Sequence, residues 1–110
     1  MAEESALVAG LKTQLPIECR PFSLEGRTVG LVIVDEVNGF CTVGAGALAP
    51  PAPDAQMARM VEETDRLARR FAEEKRPILA FLDTHEPGKP EPPYPPHCER
   101  GSGEENLVPE

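Results

Sequence analysis

Two short, uninterrupted apolar runs dominate the hydropathy pattern of the chain. The first runs from Leu31 to Val34 and is followed by Asp35, and the second runs from Ile78 to Leu82 and is followed by Asp83. Both lack polar alternation and are rich in β-branched or aromatic side chains, which is typical of strands buried on both faces of a parallel sheet. The sequence therefore predicts two strands that each end at an aspartate.

One amphipathic helix lies between these runs. Asp54 is a suitable N-cap, and Pro77 disfavours helical geometry at Arg76. The face expected to pack on the sheet has residues spaced three and four apart: Met57, Met60, Val61, Thr64, Leu67, Ala68 and Phe71. Strand, helix and strand form a parallel βαβ unit, so both strand-end aspartates should lie at one carboxyl edge, where open α/β sheets bind ligands.

The residues before this unit are predicted to contain little regular secondary structure. Residues 5–15 have near-helical apolar spacing, with Ser5 as N-cap, and Pro16 ends that helix. Residues 16–27 form a turn-rich lead-in. We expect the first strand to begin at Thr28, with Gly30 packed closely against a neighbour.

The remaining segments are predicted to be loops. Residues 38–46 contain three glycines that match no phosphate-binding pattern. Six prolines lie between Pro87 and Pro96, which favours an extended, stiff loop over the carboxyl edge. Residues 99–110 are polar and contain no further strand. We therefore expect the tail to supply no apolar cover for the strands.

Composition and charge narrow the function classes. With 110 residues the chain allows one domain at most, and only four Phe, one Tyr and no Trp are available to build a core. The formal charge of -8 disfavours nucleic-acid and anionic-membrane partners. No secretory signal or transmembrane run is evident, and the three widely spaced cysteines, Cys19, Cys41 and Cys98, suggest reduced thiols. These features predict a cytoplasmic protein.

Asp83, His85 and His97 are candidate metal ligands. Asp83 and His85 are two residues apart where a strand leaves the sheet, so their side chains turn to the same side. The following loop is long enough to bring His97 back to them. Such oxygen and nitrogen donors suit Zn²⁺, Fe²⁺ or Mn²⁺. The alternative is that the histidines are surface or packing residues, because a short Asp-x-His pattern is common.

Asp35 and Cys41 have two interpretations each. Asp35 follows four apolar residues, an environment that favours a general acid or base, but strand-end aspartates also bond backbone amides in turns. Cys41 could be a nucleophile, yet its charged neighbours Asp35 and Glu36 are acidic and do not lower a thiol pKa. We expect Cys41 to be a buried structural thiol and Cys98 a loop thiol.

Three ordered motifs carry a resemblance to a known family. They are the segment from Leu31 to Cys41, then Asp83-Thr-His85, then Tyr94-Pro-Pro-His-Cys98. In this order and at these separations they resemble the amino-terminal half of plant-type nicotinamidases, in the isochorismatase-like cysteine hydrolase family. The resemblance implies an α/β fold, with a parallel βαβ portion of a three-layer sheet. It divides the chain into a lead-in, 1–27, and a partial hydrolase domain, 28–110.

The resemblance also implies roles for individual residues. Asp35 would be the acid/base member of a catalytic triad, and Phe40 would line a pyridine pocket. A divalent metal (Zn, Fe or Mn) bound by Asp83, His85 and His97 would hold the ring nitrogen of nicotinamide. The implied reaction is hydrolysis of nicotinamide to nicotinate and ammonia, in NAD salvage, with nicotinamide or a similar small amide as the partner.

Two departures from the family pattern limit what is implied. Many nicotinamidases have a further metal-ligand histidine in the loop, whereas here Pro92 lies near that place, so water could complete the coordination. The triad lysine and the nucleophilic cysteine of the family lie beyond the stretch that these residues match. No lysine follows Lys89, and Cys98 belongs to the metal-loop motif.

Three hypotheses follow from these observations. The chain is the amino-terminal half of a nicotinamidase and inactive alone, or it represents another hydrolase of the same family. Alternatively it is a non-catalytic homologue that binds metal, self-associates as a homo-oligomer or pairs with a full-length homologue through an open strand edge. In each case two strands and one helix cannot cover themselves, so we expect the isolated chain to expose apolar surface.

Overall fold

A computed structural model describes residues 4–16, 18 and 20–110 of the chain. The elements, in chain order, are helix α1 (Ala6–Gln14), strand β1 (Leu31–Val34), helix α2 (Asn38–Cys41), helix α3 (Ala55–Glu73) and strand β2 (Ile78–Phe81). The protein is therefore α/β, as predicted. Among the described residues no helix combines the length and the apolar character needed to cross a bilayer.

Strands β1 and β2 form a two-stranded parallel sheet, in register from Leu31 opposite Ile78 to Val34 opposite Phe81. The first strand begins later than Thr28 because the ladder starts with the Leu31 N–H, which donates to the Pro77 carbonyl at 2.9 Å. The expected tight packing of Gly30 is confirmed, since a Cβ there would lie 3.2 Å from the Pro77 ring.

Both predicted helices form, with the expected caps. The Ser5 hydroxyl accepts a hydrogen bond from the Val8 N–H at 3.3 Å, and the Asp54 carboxylate accepts one from the Met57 N–H at 2.8 Å. Helix α3 ends slightly before the predicted residue, at Glu73, and Lys75 then adopts a φ of 56°. This left-handed residue turns the chain back into β2.

The inward face of α3 is narrower than predicted. Val61, Thr64 and Ala68 are partly buried and Phe71 is buried. Met60 and Leu67, which were expected on the same face, are 43% and 45% exposed. A two-stranded sheet is too narrow to cover the full apolar arc of a helix, so the flanks of the arc remain in solvent.

The prediction that both strands are buried on both faces is wrong. One face packs on α3, whereas the other, called here the open face, consists of Val32, Val34, Leu79 and Phe81, each more than half exposed. Side chains alternate across a sheet, so a single helix layer covers only one set. The expectation that the strands lack cover is thereby confirmed for the open face.

Most of the buried residues lie instead beyond the carboxyl ends of the strands, in α2 and the loops. Val37 and Cys98 are fully buried, and Cys41, Ala49 and Phe71 are nearly so. Only Phe71 of these five belongs to a long element, while the others come from α2 and the loops. The prediction that residues 38–46 form a loop missed α2. Cys98 lies outside the helices and strands, as expected for a loop thiol, and is fully buried.

The tail explains this second core. Residues 103–108, called here the C-terminal strap, run along α2 and the residues before it. The Asn38 and Gly39 N–H groups donate to the carbonyls of Asn106 and Glu104, both at 2.9 Å, and Val37 forms an antiparallel bridge with Leu107. The strap thus satisfies the N–H groups at the start of α2, which a four-residue helix cannot bond internally. The tail, which was expected to supply no apolar cover for the strands, thus packs on α2 and leaves the open face uncovered.

Candidate metal and hydrolase site at the carboxyl edge

Asp35 and Asp83 follow the two strands and lie at the same carboxyl edge of the sheet, as predicted. The Asp35 N–H donates to the Phe81 carbonyl at 2.9 Å, which is the last bond of the ladder. Asp83 comes just after β2. The parallel register therefore sets both carboxylates beside the loops that follow the strands.

Backbone hydrogen bonds join the two ends of the loop that follows β2. The His85 N–H donates to the Cys98 carbonyl at 2.9 Å, and the Arg100 N–H donates to the His85 carbonyl at 2.8 Å. Between these points the chain is less extended than predicted, because it turns at Glu86–Lys89 and again at Glu91–Tyr94. This closure returns His97 to the strand end.

Asp83, His85 and His97 come together as a compact group. Each offers one ligand atom, and these atoms all lie within 4.8 Å of one another. The Asp83 Oδ2 atom is 3.0 Å from His85 Nε2 and 3.3 Å from His97 Nε2. His97 is buried, and the other two residues are partly buried. The sequence argument that these three side chains meet is confirmed, while their ligand role remains a prediction.

The hydrogen bond on the far side of His97 fixes how its ring faces the group. His97 Nδ1 is 2.7 Å from the Pro95 carbonyl oxygen, which can only accept, so Nδ1 carries the hydrogen. In the neutral ring Nε2 is then a bare lone pair facing the Asp83 carboxylate. This arrangement is typical of metal-ligating histidines. A divalent cation between these atoms would be bound by both of them.

Glu91 is a further carboxylate at this group that the sequence analysis missed. Its Oε2 atom lies 3.3 Å from His85 Nε2 and 3.9 Å from His97 Nε2. The family pattern predicts a histidine in this loop, where Pro92 lies near the expected place. The neighbouring glutamate was the available signal, because carboxylate oxygen also suits Zn²⁺, Fe²⁺ and Mn²⁺.

Two aromatic rings flank the buried imidazole of His97. Phe40, on α2, has its ring centroid 5.7 Å from that of His97, with the planes inclined by 39°. Tyr94, which belongs to the third sequence motif, approaches edge-on, with its ring centroid 6.1 Å from that of His97. A planar ring beside the histidines would therefore meet Phe40.

Asp35 lies at the same carboxyl edge of the sheet and is exposed. Asp35 adopts a φ of 58°, which is uncommon outside glycine but tolerated by Asp in turns. In the part of the chain that the structure describes, no backbone N–H donates to its carboxylate. The turn interpretation of Asp35 requires such a bond. The carboxylate is therefore available for other contacts.

The described cysteines are unsuited to nucleophilic attack. Burial first, and then nearby carboxylates including Asp83 and Asp35, raise the pKa of the Cys98 thiol to about 11. Burial, and then the charge of Glu36, also raise the pKa of Cys41. Both thiols are free and buried, as expected for Cys41, and both are protonated at neutral pH. Cys19 lies outside the described residues.

A comparison with characterised proteins agrees with the motifs. The chain is 50% identical over 111 residues to "Nicotinamidase 1" of Arabidopsis thaliana, covering 99% of this chain and 46% of that protein. It thus spans about half the length of this relative. No protein-family model matches the chain, and no solved structure matches it. The identity over almost the whole chain confirms the predicted resemblance to the amino-terminal half of a plant-type nicotinamidase.

Proposed function

We propose that this chain forms part of a nicotinamidase-type hydrolase that converts nicotinamide to nicotinate and ammonia in cytoplasmic NAD salvage. The observation that carries the proposal is the meeting of Asp83, His85 and His97 at the same sheet edge as Asp35, in a chain with 50% identity to a nicotinamidase. On this view residues 28–110 are a portion of an isochorismatase-like domain, and residues 1–27 lead into it.

The donor set at the edge fits a divalent metal. Asp83 offers a carboxylate oxygen, while His85 and His97 offer imidazole nitrogens. Glu91 is placed to add a fourth ligand, so water need not complete the set alone. These donors suit Zn²⁺, Fe²⁺ or Mn²⁺ and do not select among them. When bound, the ion would hold the pyridine nitrogen of nicotinamide and so orient the ring.

The residues of this chain bind and orient the substrate and move a proton. Phe40 packs against the pyridine ring, as its position beside His97 suggests. In this proposal a cysteine thiol and a lysine outside these 110 residues complete the triad. Asp35 accepts the proton of the attacking thiol and returns it to the departing amide nitrogen, so that ammonia leaves and a thioester forms. Water then releases nicotinate from the thioester.

The effect of Asp35→Asn on turnover tests this role. In the protein at its full natural length we expect kcat for nicotinamide to fall by roughly 10² or more, the usual scale for a positioned acid/base group. The matched control is Asp65→Asn, which removes an α3 carboxylate that pairs with Arg69. Near-normal kcat in Asp35→Asn would show that Asp35 is not the acid/base group.

The 110 residues by themselves should release no ammonia from nicotinamide, because their described thiols are buried and protonated. The check is an ammonia assay on the purified 110-residue chain. Turnover that disappears in Asp35→Asn would show that these residues contain their own nucleophile, contrary to the proposal.

A second candidate is a non-catalytic homologue that binds metal and pairs with another chain. The open face favours it, since Val32, Val34, Leu79 and Phe81 are exposed. Co-purification of the 110-residue chain with a full-length homologue, without any gain in amide hydrolysis, would support this candidate over the hydrolase. A hydrolase of the same family acting on another amide would instead be revealed by a substrate panel.

A further inference from the structure

Glu104 of the C-terminal strap occupies a space that two glycines leave open. A Cβ at Gly46 would overlap the Glu104 carboxylate and lie 2.5 Å from its Cδ. A Cβ at Gly39 would lie 2.7 Å from Cys98 Sγ and 3.0 Å from Glu104 Cβ, so Cys98 and Glu104 share the space beside that glycine. The backbone of Gly46 is not in the left-handed region, so its φ does not require glycine. Gly46 is needed for space, and the Glu104 side chain fills that space.

Glu104 contacts one sequence neighbour of each of two site residues. Its carbonyl accepts a hydrogen bond from the Gly39 N–H at 2.9 Å, and its Oε1 atom accepts a longer one from the Cys98 N–H at 3.4 Å. Gly39 immediately precedes Phe40, and Cys98 immediately follows His97. One residue of the strap therefore joins the segment that carries the aromatic ring to the segment that carries the buried imidazole.

The carboxylate of Glu104 is not needed to form the turn in which it lies. Glu105 performs that task, because its carboxylate accepts from the Gly101 N–H at 2.6 Å and from the Gly103 N–H at 2.8 Å. Glu104 instead directs its side chain away from the turn and into the space beside Gly39 and Gly46, called here the glycine notch. Its side chain can therefore hold the segment that carries Phe40 at a set distance from the segment that carries His97.

We infer that Glu104 is a positioning residue that sets the separation between the Phe40 ring and the His97 imidazole. That separation is 5.7 Å between centroids in this structure. It fixes the space beside the metal ligands in which a planar substrate would lie. The inference rests on the proposed function for the identity of that substrate, whereas the separation itself is a property of this chain.

The first test measures the separation directly, in the Zn²⁺-loaded protein at its full natural length. The ring current of Phe40 shifts the NMR resonances of the His97 ring, and the Phe40→Leu variant gives the reference without it. We expect Gly46→Ala, whose methyl group displaces the carboxylate, to reduce this contribution by about half or more. Gly10→Ala is the matched control, because a Cβ at Gly10 meets nothing within 4 Å.

Combining variants separates positioning from general destabilisation. Glu104→Gln keeps an oxygen acceptor in the notch and should retain the His97 shift, while Glu104→Ala should lose it. In a Glu104→Ala background, Gly46→Ala should add little, since the displaced group is already gone. If Gly46→Ala leaves the His97 shift unchanged, or if the two changes are fully additive, the inference is wrong.

Kinetics then distinguish this inference from the proposed function. We expect Gly46→Ala to lower kcat/KM for nicotinamide by roughly 10- to 100-fold, mainly through KM, as for a misplaced binding group. An inactive wild-type protein would overturn the proposed function and leave the ring-current result intact. An active Gly46→Ala variant with an altered His97 shift but wild-type KM would overturn the link from separation to substrate binding.

Discussion

The carboxyl edge of the sheet and its open face are built from neighbouring residues, yet they differ sharply in burial. Val37 is 0% exposed, whereas Val34 in the preceding strand is 61% exposed. Cys98 at the edge is also fully buried, and Phe81 on the open face is 55% exposed. An apolar run therefore predicts that its side chains are stabilised by burial, but it does not predict whether other residues of the same chain bury them.

Cover at the edge comes from a polar segment. The strap bonds to α2 through backbone carbonyls, which any residue type supplies, so its sequence does not predict these bonds. The open face has no equivalent segment among the described residues. A site at the edge can therefore be well ordered even though the open face of the same sheet is exposed.

The largest predicted effect compares the same substitution in the two regions. Val37→Asp buries an unpaired charge in the edge core and should cost more than about 4 kcal/mol of unfolding free energy. Val34→Asp on the open face should change it by less than about 0.5 kcal/mol. Urea unfolding of the 110-residue chain, followed by circular dichroism at a concentration below that at which it associates, measures both. Equal losses would remove the distinction between edge and open face.

A smaller effect concerns the loop that closes over the edge. Glu91→Gln should weaken Zn²⁺ affinity roughly tenfold or more, because it removes a carboxylate that lies against both imidazoles. Glu86→Gln is the control in the same loop, since that carboxylate turns away to pair with Arg100. Titration calorimetry compares them, and equal affinities would exclude Glu91 from the ligand set.

The open face should be detectable by a dye. We expect the 110-residue chain to bind an anilinonaphthalene sulfonate and to associate with rising concentration. Phe81→Lys should remove roughly half of the dye signal. Met60→Lys, on the exposed flank of α3, should remove less. A concentration-independent monomer that binds no dye would mean that the open face is covered in solution.

The smallest effect is a pH dependence at Glu36, a buried carboxylate next to the edge core. Burial raises its pKa above 4.5, the hydrogen bond with the Thr64 hydroxyl partly opposes this shift, and the charge of Glu110 adds a smaller increase. The folded chain therefore holds this proton to higher pH than the unfolded chain does. Stability from this group is present below pH 4.5 and is lost as pH rises through the folded-state pKa.

It follows that Glu36→Gln should raise stability at pH 7 and that the gain should vanish below pH 4.5. Glu62→Gln, on the exposed side of α3, is the matched control. Urea unfolding at a series of pH values provides the measurement. A gain in Glu36→Gln that is independent of pH would point to packing and not to the charge.

The sequence predicted the features that arise from local pattern. The apolar runs and the periodicity of α3 predicted the βαβ unit, and strand direction placed Asp35 and Asp83 at one edge. The meeting of His85 and His97 also followed from strand geometry and loop length. Each of these depends only on residues close together in sequence or on the direction of a strand.

The features that were missed depend on contacts between distant residues. Helix α2 is only four residues long and is stabilised by carbonyls of the strap, including that of Asn106. Glu91 reaches the histidines because the proline-rich loop turns twice, which its composition did not suggest. The glycine notch around Glu104 becomes visible only when Gly46 and the strap lie side by side.

Metal stoichiometry is the measurement that tests the central claim most directly. Metal-free protein titrated with Zn²⁺ should bind one ion at the carboxyl edge, and Asp83→Asn or His97→Ala should abolish that binding. Asp65→Asn, which alters a carboxylate on α3, should leave it intact. One tightly bound ion that requires Asp83 and His97 is the predicted result. Absence of stoichiometric binding, or equal binding in wild type and His97→Ala, would contradict a metal site at this edge.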